Sequence, residues 1–192
     1  MITTEQINNF ITYILQAIMF FGLAISIFSQ NYLNIFLITL IILFTFIPTI
    51  VHKRYDFHIP SSFNLIIIVF IFAALFLGEI HGFYTRFPWW DLLLHSTSSF
   101  LLGLVGFLLV YTLNYEEKIH LNMKPRFIAL FAFAFALAIG VIWEIFEFSM
   151  DSFFGLNMQK SGLIDTMWDL IVDTLGALVV SILGYLFFLL LS

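Results

Sequence analysis

The stretch FIALFAFAFALAIGVIWEIFEFSM, residues 127 to 150, decides the fold. From Phe127 to Trp143 it carries no charged side chain, and then Glu144 and Glu147 follow within one turn. An apolar run of this length crosses the ~30 Å hydrocarbon core as a helix, because a helix satisfies its own backbone in lipid. An ionisable side chain inside such a span costs about 2.5 to 3.5 kcal/mol at the helix centre, so the positions of the two glutamates are highly informative.

Similar runs lie on either side, at about 10–28, 33–51, 63–80, 91–113 and 165–191. With 127–150 they predict an all-α fold, a polytopic transmembrane helix bundle of six spans that forms a single transmembrane domain over residues 1–192. The composition agrees: 62% of the residues are hydrophobic and 10% charged, with a mean hydropathy of +1.07. Soluble domains are about a quarter charged, so a soluble globular protein is excluded. The breaks between runs carry Pro60, Pro88 and Pro125, Ser29-Gln30-Asn31, and the glycines at 155 and 162, all turn chemistry. No Lys or Arg precedes the first run, which is therefore expected to persist as a helix rather than be cleaved as a signal peptide. No internal repeat is visible, which weakens an inverted-repeat transporter reading. A net charge of -5 supplies no attraction for nucleic acid. The absence of Cys excludes disulfides, thiolate zinc sites and cysteine nucleophiles.

Basic loop residues set the orientation. Lys53, Arg54, Lys118, Lys124 and Arg126 share one side, whereas Arg86 and Lys160 share the other, so both termini are expected to be cytoplasmic. On that orientation the ionisable groups of the last four spans fall in the extracytoplasmic half. Glu79 ends the third span, Asp91 and His95 open the fourth, Glu144 and Glu147 lie near the end of the fifth, and Asp165, Asp169 and Asp173 open the sixth.

Helical spacing places each set on one face: Asp91 and His95 are i, i+4, the glutamates i, i+3, and the three aspartates step by four. Small residues continue the stripes at Ser98, Ser99, Gly140 and Gly176, allowing close helix approach. Helix capping and the macrodipole account equally well for Asp91 and Asp165. They do not account for Glu144 and Glu147, which sit toward a helix C-terminus, or for Asp169 and Asp173, one and two turns deep. His95 also fits a role as hydrogen-bonded bundle glue. Glu79 and His81 fit a solvated loop edge, and Arg86 and Lys160 fit either interfacial anchors or ligands of an anionic substrate group. Trp89, Trp90, Trp143 and Trp168 match an interfacial aromatic belt.

Seven carboxylates and an imidazole at one depth cannot all stay ionised without cations, shared protons or water. Asp91, His95, Glu144, Glu147, Asp165, Asp169 and Asp173 are the candidate metal ligands. His95, Glu144, Glu147 and Asp169 are the candidate catalytic groups, and Glu79, His81, Arg86 and Lys160 the weaker substrate candidates. Oxygen donors suit Mg²⁺, Mn²⁺ or Ca²⁺, and one imidazole also admits Zn²⁺ or Fe²⁺.

The blocks WWDLLLH (Trp89 to His95), WEIFE (Trp143 to Glu147) and DTMWDLIVDTLGA (Asp165 to Ala177) resemble the uncharacterised YjdF-type family of bacterial inner-membrane proteins, over roughly residues 50 to 185. More distantly, Asp-x3-His, a glutamate-bearing helix and then Asp-x3-Asp-x3-Asp before Gly resembles the VanZ-like proteins, associated with glycopeptide (teicoplanin) resistance. There Asn is typical where Asp173 stands. The aspartate ladder is also similar to the metal-binding end of CDP-alcohol phosphotransferases, whose upstream Asp-Gly and Ala-Arg block is absent here. The resemblance implies a bacterial cytoplasmic (inner) membrane location and marks these acids as functional residues, without implying a reaction.

Three functions fit the pattern. The first is a divalent-metal-dependent enzyme that hydrolyses a membrane lipid or lipid-linked substrate, or transfers a group from it. The second is a divalent-cation or proton-coupled transporter, which requires a polar path to the cytoplasm. Thr112, Ser181 and Tyr185 are the few polar residues there, which favours the enzyme. The third is a non-catalytic envelope accessory protein whose polar cluster is satisfied internally.

Overall fold

The structure, a computed structural model, describes residues 3–47, 50, 61–115 and 123–191, and every regular element among them is helical. In chain order these are α1 (Thr4–Phe28), α2 (Tyr32–Thr45), α3 (Ser61–Ile71, continuing in π-helical turns over Phe72–Ile80), α4 (Phe83–Arg86), α5 (Trp90–Tyr115), α6 (Pro125–Phe154) and α7 (Leu163–Leu191). Among the described residues, five stretches are long and apolar enough to cross a membrane: Thr4–Phe28, Ser61–Ile80, Trp90–Val110, Pro125–Phe154 and Leu163–Leu190. The second expected span, 33–51, corresponds to α2, whose 14 residues are apolar but shorter. Its far end lies partly outside the described residues, as do Lys53, Arg54 and Lys118, three of the residues that set the expected orientation.

Helices outrun the apolar stretches where a cap permits. Thr3 Oγ1 accepts from the Gln6 amide at 3.2 Å while Gln6 Oε1 accepts from the Thr3 amide at 3.0 Å. This capping box starts α1 over a turn ahead of its apolar run. Pro125 opens α6 at a position where no amide proton is needed, and Gly155, at φ +66°, closes it in the left-handed conformation.

The chain divides into two compact units, Met1–Trp90 and Asp91–Ser192. In the first, Met19 of α1, Ile38, Ile41 and Ile42 of α2 and Phe76 of the π-helical turns make an apolar core. Side-chain amides tie its helices together: Asn8 donates to Ser61 and Ser62 at 3.2 and 3.0 Å, and Gln16 to Thr45 at 3.1 Å. At the end of the π-helical turns the Phe76 carbonyl accepts the His81 amide and faces His81 Nδ1 at 2.9 Å.

The second unit is built on stripes. The buried face of α6 runs Ala129, Ala132, Ala136, Gly140, Glu144, Glu147, almost one residue per turn. That of α5 runs His95, Ser99, Gly103, Gly106, Val110, and that of α7 runs Asp169, Asp173, Ala177, Val180. The opposite faces expose Ile142, Ile145 and Phe148 on α6 and Ile171, Leu175 and Ile182 on α7, as lipid contact requires. Along each stripe, small or apolar residues at one end give way to ionisable ones at the other. A side chain at Gly176 would run into the backbone carbonyl of Ser96, so α7 reaches α5 at backbone distance only because that residue is Gly.

Candidate functional site

The start of α5, the end of α6 and the start of α7 meet at the ionisable ends of their stripes. His95 and Ser99 arrive from α5, Glu144 and Glu147 from α6, Asp169 and Asp173 from α7, and all six are buried. Asp91 and Asp165 stand in the first turns of α5 and α7, where the helix dipole favours negative charge, and are half-buried.

His95 is the hub. Its Nδ1 faces Asp173 Oδ2 at 3.4 Å, and its Nε2 faces Glu144 Oε1 at 3.7 Å and Asp91 Oδ1 at 3.9 Å. Asp173 reaches the imidazole across a gap that Gly140 leaves open: a Cβ there would stand 2.5 Å from Asp173 Oδ2. Two groups of three donors result. Ligand atoms of His95, Glu144 and Asp169 lie within 4.8 Å of one another, and so do those of Asp91, Asp165 and Asp169. Asp169 belongs to both.

Glu144 is 4% exposed and Asp169 and Asp173 are each 1% exposed. Both Glu144 oxygens, Asp169 Oδ2, Asp173 Oδ1 and the Ser99 hydroxyl complete no hydrogen bond. Thr166 approaches Glu144 without completing one. Leaving a buried polar atom unpaired costs about 1 to 3 kcal/mol, more for a charged group. Four such carboxylate oxygens, on three side chains, are grouped in this one cluster. Glu147, one turn beyond Glu144, is by contrast engaged: Trp143 Nε1 donates to its Oε1 at 2.8 Å.

A short loop covers the aqueous end. Asp151, on the last turn of α6, accepts the amides of Met158 and Gln159 at 2.7 and 2.8 Å, folding the chain back after Gly155. This places Lys160 over the cluster. Its Nζ lies 2.6 Å from Asp91 Oδ2, and its backbone amide donates to Asp165 Oδ2 at 3.1 Å. Gln159 donates to the Thr166 hydroxyl at 2.6 Å, pinning the loop to α7.

All seven candidate metal ligands thus lie in the second unit, with Lys160 against Asp91. Five of the seven form the two donor groups; Asp173 stands behind His95, and Glu147 beside Trp143. Glu79, His81 and Arg86 belong to the first unit, where each is exposed, and His81 Nδ1 and ring are engaged with Phe76. Sequence reasoning passed over Asp151, whose position at a helix end before a Gly-containing loop was a signal for backbone capping. It also read Trp143 only as a belt residue, although its i, i+4 spacing to Glu147 permits the hydrogen bond observed.

A multi-pass helical membrane protein with a buried carboxylate and histidine cluster is the class that fold and site define. The chain belongs to DUF2238, a family described as predicted membrane proteins, which it matches over residues 11–189. It is also similar to an uncharacterized protein of Thermotoga maritima, at 30% identity over 132 residues, 66% of this chain. That alignment spans 63% of the Thermotoga protein's own length. No solved structure matches the chain. The family match is to predicted membrane proteins, and the more distant likeness to VanZ-like proteins receives no support from either match.

Proposed function

We propose that the protein is a divalent-metal-dependent enzyme of the bacterial inner membrane that acts on a lipid or lipid-linked substrate by hydrolysis or group transfer. The observation that carries this reading is the buried donor set of His95, Glu144 and Asp169, with both Glu144 oxygens and one Asp169 oxygen unpaired. One imidazole and two carboxylates suit Mn²⁺ or Zn²⁺, and the surrounding acids also suit Mg²⁺ or Ca²⁺. The side chains around the set have the roles such a site needs. Asp173, on Nδ1, orients His95 so that Nε2 is presented toward Glu144, the carboxylate-to-histidine arrangement that fixes a ligating imidazole. Glu147, steadied by Trp143, is the remaining carboxylate available as a general base. A bound ion would supply Lewis acidity and an activated water at this point.

An enzyme is favoured over a carrier by what lies beyond the site. Below Asp173 the α5, α6 and α7 stripes close on one another: a Cβ on Gly106 would stand 2.9 Å from Ala132 Cα, and Val180 fills the space beside Gly103. Ser181 there donates a 2.7 Å bond to the Ala129 carbonyl, and beyond it a cleft of about 450 Å³ is lined by Arg126, Ser181 and Tyr185. With the orientation expected from the basic loops, the site belongs to the extracytoplasmic half of the membrane.

The test is elemental analysis of the detergent-purified protein beside Glu144→Ala and Asp169→Ala, each checked by size exclusion. About one equivalent of metal in the wild type and a loss of at least ~90% in both variants is expected if one ion needs all three ligands. A wild type that holds no metal after incubation with Mn²⁺, Zn²⁺, Mg²⁺ and Ca²⁺ overturns the reading. Turnover of lipid phosphates or esters in detergent, without a sealed membrane, then separates an enzyme from a carrier.

A further inference from the structure

We propose that Asp91, Asp165 and Asp169 form a second, exchangeable divalent-cation site sharing Asp169 with the buried one, and that the Lys160 ammonium fills it until a metal displaces it. This rests on the metal reading above and extends it.

The two donor groups differ in kind. The inner one contains the imidazole and is wholly buried, whereas the outer one is three carboxylates, two of them half-buried and nearer the covering loop. An all-oxygen set selects hard ions such as Mg²⁺, Mn²⁺ or Ca²⁺ and disfavours the softer ions that an imidazole attracts. Asp169, 1% exposed and with Oδ2 unpaired, is the side chain common to both groups, as a carboxylate bridging two ions would be.

Lys160 already treats the outer group as a cation site. Its ammonium pairs with Asp91 at 2.6 Å, and its amide addresses Asp165. One positive charge among three carboxylates balances them only in part. The loop backbone is fixed by Asp151 through Met158 and Gln159, but the lysine stem is flexible, so the ammonium can leave without the loop unfolding. A divalent ion and Lys160 therefore compete for Asp91.

The experiment is a Mn²⁺ titration of the full-length protein in detergent, followed by electron paramagnetic resonance, for wild type, Lys160→Met and Asp165→Asn. The first ion should give the spectrum of an isolated Mn²⁺, and the second should convert it to that of an exchange-coupled pair. Removing the competing ammonium should tighten the second ion about tenfold, the scale of one charge-assisted hydrogen bond, and leave the first unchanged. Asp165→Asn should lose the second ion alone. A wild type that takes up one ion and never shows coupling overturns the second site and leaves the proposed function standing. An unchanged or weaker second ion in Lys160→Met overturns the role of the lysine. A wild type that binds no ion overturns both. Lys160 sits in an exposed loop, so its variant remains decisive if Asp165→Asn fails to fold.

Discussion

The two units solve the same problem, holding helices together where lipid offers no hydrophobic contrast, with different side chains. The first uses bulk: Met19, three isoleucines and Phe76 interlock, and the polar residues around them reach each other as neutral amides and hydroxyls. The second uses smallness: Gly106 against Ala132, Gly176 against the Ser96 carbonyl, and Ala136 and Ala177 fully buried. Both leave buried atoms unpaired, but in the first unit these are the Thr12 hydroxyl and the Asn64 side-chain oxygen, whereas in the second four of the five are carboxylate oxygens. Aspartate is a short side chain. α5 and α7 bring their aspartates, and α6 its glutamates, within reach of one another only where the backbones approach closely, as the small-residue packing allows.

The comparison is most exposed at Gly176. Gly176→Val should force α7 off α5 and lower stability by about 3 kcal/mol, or roughly 6 to 12 °C in Tm, and abolish metal binding as well. A variant that melts like the wild type would show that close approach is not what holds the second unit. Met19→Ala opens a cavity in the first unit and should cost about 2 kcal/mol in the same thermal melt. There the bound metal should not change; a loss of metal in this variant breaks the division of labour between the units. The smallest effect has the opposite sign. Glu144→Gln removes a buried carboxylate whose two oxygens complete no hydrogen bond, so without metal the variant should melt about 2 to 4 °C above the wild type. Added Mn²⁺ should then stabilise the wild type more than the variant, because binding to the native state raises its stability and the variant has lost a ligand of the inner site.

Much of the fold was legible because membrane insertion writes itself into composition. Five of the six apolar runs appear as helices long enough to span, and α1 and α6 exceed their runs because Thr3 with Gln6, and Gly155, determine where they end. The π-helical turns over Phe72–Ile80 and the short α4 had no periodic signature; Trp90 contacts both, its indole donating to the Ala73 carbonyl and its ring lying edge-on to Phe83. Of the site, the faces were readable: i, i+4 spacing put Asp91 with His95, and Asp165 with Asp169 and Asp173, whatever the packing. Their roles were not. Nothing in the spacing distinguishes Asp173, which stands behind His95, from Asp169, which belongs to both donor groups, because that depends on the rotation of α7 against α5 and α6.

The sequence by itself determined that this chain is a helical membrane protein and that its costly acids gather on a few helix faces. Both follow from the transfer energetics of side chains one at a time. Tertiary structure decided which acids share a centre, that Asp169 joins two donor groups, and that Lys160 from a loop 69 residues from Asp91 sits on one of them. Those are distances between segments remote in the chain, set by how closely glycine and alanine let three helices pack.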